Sequence, residues 1–306
     1  MSQRTGMFGA PVTDLASALR SGADFVVVGA PYDHGASYRP GSRFGPEALR
    51  RVSTTVHRLD DDLRGSYDIE QGRRLMENVG VLDIGDLLGT LGDLGRDVLD
   101  ALEDTVAALA AAGATPMVLG GDHSITLRVV DGLTRHHEQV GVLHLDAHYD
   151  HGAVRTGPRD AVHHGNFLDW VVGNPRVACL AQFGIRQLVP DPPEASATVL
   201  RWPGRSALSI PPAEIVAALP PDLVWHISLD VDVLDPTVMP STGTVLPGGW
   251  TYNETVDLLG GLADLLPIVG VDVVELLPGP DEAPAITISA LLLRLMDRIA
   301  RSNLSA

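Results

Sequence analysis

The sequence predicts an α/β fold, a single domain whose mostly parallel central sheet carries helices on both faces in a three-layer arrangement. Three observations point there. Apolar, β-branched runs recur along the chain, and helical patterns separate them, which is the signature of parallel strands joined by crossovers. The chain has 306 residues, 45% of them hydrophobic, enough for one large core. No repeat, low-complexity tract or linker divides it, so one domain over residues 1–306 is expected.

The elements follow in order. Asp24 to Gly29 reads as a strand and Gly92 to Ala112 as a helix, its leucines and alanines at helical spacing. Pro116 to Leu119 is a strand and Ser124 to His136 a helix. Gln139 to Leu145 is a strand, and Asn166 to Val172 opens a helix. Val177 to Phe183 is a strand and Pro211 to Leu219 a helix. Leu223 to Leu229 is a strand, Tyr252 to Leu265 a helix, Ile268 to Val274 a strand and Ala285 to Arg301 a closing helix. The proline-rich stretch Pro190 to Pro203 reads as a surface loop. In such folds ligands sit at the carboxyl ends of the strands.

Composition excludes several classes of function. The net charge of −17 argues against nucleic acid, whose phosphates call for a basic surface. It suits a cationic substrate, although most surface acids serve solubility. No stretch reaches the roughly 20 apolar residues of a membrane span, and Met1 to Gly22 has no secretory apolar run. The one cysteine, Cys179, can form neither a disulfide framework nor a thiolate metal cluster, and predicts an intracellular, cytoplasmic setting. Gly89, Gly92 and Gly95 are spaced wrongly for a dinucleotide fingerprint, and no G-x-S-x-G elbow supports a serine hydrolase.

Three segments carry chemistry, each after an apolar strand. In His144-Leu145-Asp146-Ala147-His148-Tyr149-Asp150, alternate residues of an extended chain face one way, so Asp146, His148 and Asp150 can converge. Such a group stays underhydrated unless a cation neutralises it. In Ser228-Leu229-Asp230-Val231-Asp232, two carboxylates at the same spacing raise one another's pKa unless a cation intervenes. Asp235, before a proline, reads as a turn residue. In Gly120-Gly121-Asp122-His123-Ser124, glycines permit a tight turn, Asp122 or Ser124 can cap the next helix, and His123 projects over the sheet edge. The plainer reading of these clusters is caps and turns at strand–helix junctions. Taken together, two imidazoles and four carboxylates would balance two divalent cations. Oxygen and imidazole donors without thiolate favour manganese by ligand type, whereas affinity order favours zinc. A pair of cations can supply a nucleophile from water near neutral pH.

The three motifs together resemble the ureohydrolase family of arginase, agmatinase, guanidinobutyrase and proclavaminate amidinohydrolase, over roughly Asp24 to Arg301. Gly29 to Asp33, Ser37 to Pro46, Asp83 to Asp86, Gly184 to Arg186 and Pro247 to Tyr252 also match, the Arg39-Pro40-Gly41 and Pro247-Gly248-Gly249 pieces on the agmatinase-like side. The resemblance implies two Mn2+ per chain. One would be held by His123, Asp146, Asp150 and Asp230, the other by His148, Asp146, Asp230 and Asp232, with Asp146 and Asp230 bridging. It implies that Glu275 holds the substrate guanidinium, as a carboxylate suits paired N–H donors. His164 would shuttle a proton to the leaving amine; the adjacent His163 is the alternative. The expected catalytic set is thus His164, Asp150 and Glu275, Asp150 doubling as a ligand.

The expected reaction is hydrolysis of a small guanidino compound, agmatine first, to urea and an amine. A guanidino acid such as 4-guanidinobutyrate, or a specialised guanidino metabolite, is the alternative; Arg155 and Arg159 could bind its carboxylate if they face the pocket. A metal-binding homologue without turnover is the reading from another class. The resemblance also implies a homo-oligomer, trimer or hexamer. Departures from the family pattern fall at Tyr149, expected beside the metals, and at Asn166 and Leu277, expected near the substrate mouth.

Overall fold

The computed structural model describes residues 5–59, 63–88, 96–151, 161–191, 196 and 198–305. Its core is an eight-stranded sheet: β1 (Phe25–Ala30), β4 (Val81–Asp86), β5 (Thr115–Gly120), β6 (Val140–Leu145), β7 (Val177–Phe183), β8 (Val199–Trp202), β9 (Val224–Asp230) and β10 (Ile268–Val274). The strands run in the order β4-β1-β5-β10-β9-β6-β7-β8, and every pairing among them is parallel. A small antiparallel ribbon, β2 (Ser66–Asp68) with β3 (Arg73–Leu75), stands apart.

Two helical layers cover the sheet. On one face α2 (Gly45–Val56) and α7 (Tyr252–Ala263) pack on α8 (Ala283–Ser305), with α6 (Pro212–Ala218) against α7. On the other α3 (Arg96–Ala111) packs on α4 (Thr126–His136), which meets α5 (Leu168–Val171). A short α1 (Leu15–Ala18) lies by β4. β1, β5 and β6 are buried along their whole length, which explains why they read as continuous apolar runs instead of alternating ones. Largely apolar clusters fill both interlayers, one from Phe25 and Leu119 to Trp225 and Met296, the other from Val28 and Val118 to Leu133. Among the described residues no helix is long and apolar enough to cross a membrane.

Most sequence expectations fall on their elements, with three departures. Val199–Trp202, inside the proline-rich stretch read as loop, is the edge strand β8, hydrogen-bonded to β7. The helix expected from Ser124 starts as a 3-10 turn, His123–Ile125, capped by the Asp122 carboxylate on Ser124 N. The helix opening at Asn166 is only the single turn of α5. The start of the helix expected from Gly92, with Gly89 and Gly95, lies outside the described residues, as does part of the proline-rich stretch.

The first turn of the site region is set by backbone proximity. Gly121 N donates to Ala30 O, and Gly121 O accepts from Glu275 N, so one residue ties the ends of β1, β5 and β10. A Cβ there would overlap the Tyr32 carbonyl. Gly121→Ala is expected to cost about 3 kcal/mol, the upper range for overpacking, as a drop in the denaturant midpoint at unchanged m-value.

Candidate metal centre

The ends of four adjacent strands, β5, β10, β9 and β6, bring the predicted residues together. His123 follows β5, Glu275 follows β10, Asp230 ends β9 with Asp232 in the turn after it, and Asp146, His148 and Asp150 follow β6. His123 Nδ1 lies 3.0 Å from Asp146 Oδ2, 3.2 Å from Asp230 Oδ2 and 3.5 Å from Asp150 Oδ2. His148 Nδ1 lies 2.8 Å from Asp232 Oδ2 and 3.5 Å from Asp146 Oδ1. Two groups with metal-ligand spacing result: His123, His144, Asp146 and Asp150, and Asp146, His148 and Asp232. Asp146 belongs to both. Asp230, expected to bridge, falls in neither group: it turns Oδ2 to His123 and accepts the Asp232 N–H on Oδ1.

The tautomer of His123 tests whether a cation fits. Ser228 Oγ donates to Asp272 Oδ1 at 2.8 Å, so it can only accept from His123 Nε2 at 2.9 Å. The Nε2–H is therefore committed, and in a neutral imidazole the Nδ1 lone pair faces three carboxylates. That arrangement is repulsive unless a proton or a cation sits between them. Without a cation the proton prevails: against the cost of burial, Asp146 and Asp230 raise His123 well above its usual pKa. One N–H serves three carboxylates poorly. A divalent cation would take the proton's place and contact all of them, with the partner on Nε2 fixing ring orientation, as metal-bound histidines usually have it.

The carboxylates tell the same story. Burial, then Asp232 and Asp146, push Asp230 well above the usual range; burial, then Asp146, do so for Asp150. Asp232 is pushed up to about 6 by burial and Asp146. For Asp146 burial is outweighed by the imidazoles of His123, His144 and His148, which hold it well below the range. Four buried acids that cannot all ionise alone are a site for positive charge.

Around this cluster opens a cavity of about 180 Å³. His148, Asp150, Asp230 and Asp232 form its floor, and Ser37, His164, Gln187, Thr242, Thr244 and Glu275 line its walls. Glu275 has φ +62° and Asp150 φ +45°. Both are non-glycine residues in the left-handed region, a strain concentrated at functional sites. Glu275 Oε1 accepts from His123 N at 3.0 Å and lies 3.1 Å from His164 Nδ1. Among the described residues its Oε2 has no hydrogen-bond partner. Burial works against protonation of His164, and Glu275 outweighs it, raising its pKa. His163 turns away, with Nδ1 accepting from Gly165 N at 3.1 Å.

None of Tyr149, Asn166 and Leu277, the three departures from the family pattern, lines the cavity among the described residues. Tyr149 does not border the cavity: its hydroxyl accepts from Arg201 Nη2 at 2.7 Å, and the guanidinium lies 5.0 Å from the ring centroid. The side chain follows the cation on β8. Asn166 is turned to its own loop, accepting from His163 N and donating to Ala161 O. Leu277 packs beside Gly41 and is likewise not part of the cavity lining. Arg155 and Arg159 lie outside the described residues.

Sequence reading missed the layer beneath. Arg201, Gln182, His144, Ser228 and Asp272 are register partners across β8, β7, β6, β9 and β10. Arg201 Nε donates to Gln182 Oε1 at 2.9 Å, His144 Nε2 lies 3.1 Å from Asp146 Oδ2, and His226 Nε2 lies 2.7 Å from Asp272 Oδ2. The signal was present as the period-two series His226, Ser228, Asp230 and the lone acid in Val271-Asp272-Val273. Arg186, in the Gly184 to Arg186 motif, also acts beneath the site. Its guanidinium donates to the carbonyls of Asp232, Val233, Leu234 and Leu246, pinning the turn that carries Asp232.

Residues 23–299 match the model of the arginase family. The proclavaminate amidinohydrolase of Streptomyces clavuligerus is 34% identical over 270 residues, 84% of this chain and 81% of that protein. An agmatinase of Neisseria meningitidis serogroup B is 32% identical over 278 residues, 86% and 82% of the two chains. The solved structure of the Streptomyces clavuligerus proclavaminate amidinohydrolase superposes with TM-score 0.83 at 29% identity, covering 98% of both chains.

Divalent metal is expected to stabilise the fold through this cluster. At free Mn2+ about 100 times its Kd, one site adds about 2.7 kcal/mol, seen as a rise in Tm that a chelator reverses. Asp146→Asn, which removes charge from both ligand groups, is expected to abolish most of that rise and to reduce bound metal measured by atomic emission.

Proposed function

The chain belongs to the arginase family of ureohydrolases, which act on linear amidines, and from that premise we propose that it hydrolyses a small guanidino amine of the agmatine type to urea and an amine. The observation that carries this reading is the buried four-carboxylate, two-imidazole cluster under a cavity walled by Glu275 and His164. Two divalent cations, manganese by the oxygen and imidazole donor set, would activate water as the nucleophile at neutral pH. His123, Asp146, Asp150 and Asp230 would hold one and His148, Asp146, Asp230 and Asp232 the other.

The protein's own residues do the rest. Glu275 Oε2 accepts the N–H donors of the guanidinium and turns its carbon toward the cavity floor, a charge-assisted contact with fixed geometry. Positioning of this kind supplies much of the barrier reduction. Glu275 Oε1 meanwhile keeps His164 oriented. His164 protonates the departing amine, so the C–N bond breaks to a neutral leaving group. The acidic floor favours a cation, and among the described residues no lysine or arginine lines the cavity. This supports a substrate without a carboxylate.

A second reading, a specialised guanidino acid, draws on the relative named for proclavaminate instead of agmatine. Placing Arg155 or Arg159 at the mouth would provide the carboxylate's partner. A cytoplasmic homo-oligomer, trimer or hexamer, folded as one domain over residues 1–306, completes the proposal.

Urea release with Mn2+ is expected from agmatine, with free arginine far poorer in kcat/KM because the stretch His151 to Val162 lacks a run of threonine, serine and asparagine to read an α-amino and α-carboxylate pair. Arginine winning would refute the substrate choice and leave the metal chemistry standing. His164→Asn should lower kcat by about 10²-fold or more, the usual worth of a general acid, with metal content unchanged. His163→Asn should stay close to wild type; the reverse ranking would move the shuttle to His163.

A further inference from the structure

His164 is held on both ring nitrogens, and its second partner was not foreseen. The loop after β1 is closed on the buried Asp33 carboxylate, which accepts from Gly41 N at 2.7 Å and pairs with Arg43 Nη2 at 2.6 Å. The same loop is stitched to the site: Gly35 N donates to Asp122 Oδ2 at 2.7 Å, and His164 N donates to Gly35 O at 3.2 Å. These ties bring Ser37 to the cavity wall. Its backbone N–H donates to His164 Nε2 at 3.1 Å, and its Oγ lies 2.7 Å from the same nitrogen.

The donors and acceptors leave one assignment. Glu275 Oε1 already accepts from His123 N and faces His164 Nδ1. An ionised carboxylate only accepts, so Nδ1 carries the proton. The Ser37 N–H only donates, so Nε2 presents its lone pair. A second proton can therefore enter the ring only at Nε2, where the backbone amide cannot receive it. The Ser37 hydroxyl can, because a hydroxyl donates or accepts as its proton rotates. It is the one partner of Nε2 among the described residues that serves both states.

We propose that Ser37 is the positioning residue of the proton shuttle: it holds neutral His164 with Nε2 as base and turns its hydroxyl to accept from Nε2–H once the ring is protonated. This rests on the reading of His164 as the shuttle. The proton that Nε2 gains is the one released by the attacking water, and it leaves on the departing nitrogen. Ser37 keeps its own proton throughout. The charged and titratable groups around the ring are Glu275 at Nδ1, Asp122 and His123 from the end of β5, and His163 beside it.

The test uses the full chain loaded with zinc for histidine side-chain 15N NMR, zinc being diamagnetic, and with manganese for urea release. His164 signals are assigned by comparison with His164→Asn. In Ser37→Ala the imidazolium loses its acceptor, so the His164 titration should move down by about one pH unit, the worth of one hydrogen bond to a charged group. kcat should fall about tenfold with KM little changed, and Ser37→Thr should restore both. An unchanged titration in Ser37→Ala overturns the proposal. So does a rise in KM at constant kcat, which would make Ser37 a substrate contact. If the wild type releases no urea from any guanidino compound while the titration shift appears, the functional reading fails and the pairing of Ser37 with His164 stands.

Discussion

Everything at the carboxyl edge of this sheet answers to one constraint: four carboxylates are buried within reach of one another, and buried like charges cannot remain ionised without compensation. The compensation comes in layers. The imidazoles of His123 and His148 face the acids directly. Beneath them the polar row from Arg201 to Asp272 crosses five strands in register and gives His123 and Asp146 their partners below, Ser228 and His144. Such a row is costly in a sheet core unless every member is satisfied. His123 shows why it is present: Ser228 and Asp272 decide which of its nitrogens faces the carboxylates.

Loops supply the opposite wall. Ser37, His164, Thr242 and Thr244 come from segments between elements, and the floor comes from strand ends. Strand ends hold positions tightly, whereas loops change length and composition with little effect on the core. This division fits a family whose members bear different substrate names, as two relatives of similar identity do.

Much of the fold was legible because parallel strands buried on both faces leave long apolar runs, as in Val177–Phe183 and Ile268–Val274, both found at their expected bounds. Elements without that mark were missed. β4, Val81-Leu82-Asp83-Ile84-Gly85-Asp86, interleaves acids because Asp83 is the buried partner of Arg50. α2 begins in a segment read for its motif. β8 is a four-residue edge strand next to prolines. The candidate site residues were legible from period-two spacing at strand ends. Tyr149 was not, since nothing in its neighbourhood along the chain announces Arg201, fifty-two residues on. Cross-strand register decides such partners, and one sequence does not display it.

The two strands at the middle of the site, β9 and β10, follow the other six in the chain. A nascent chain that has reached residue 220 holds β5 and β6 with no direct pairing between them, and His123, Asp146, His148 and Asp150 on either side of a gap. Asp230, Asp232 and Glu275 arrive with the strands that fill it. Closing that gap is a long-range event, late and slow by the entropy of the loops it must span. Until it closes, the chain exposes two unpaired inner edges, the kind of surface on which folding intermediates aggregate. A cation held by residues from both sides of the gap would therefore find its full set of ligands only once β9 and β10 are in place.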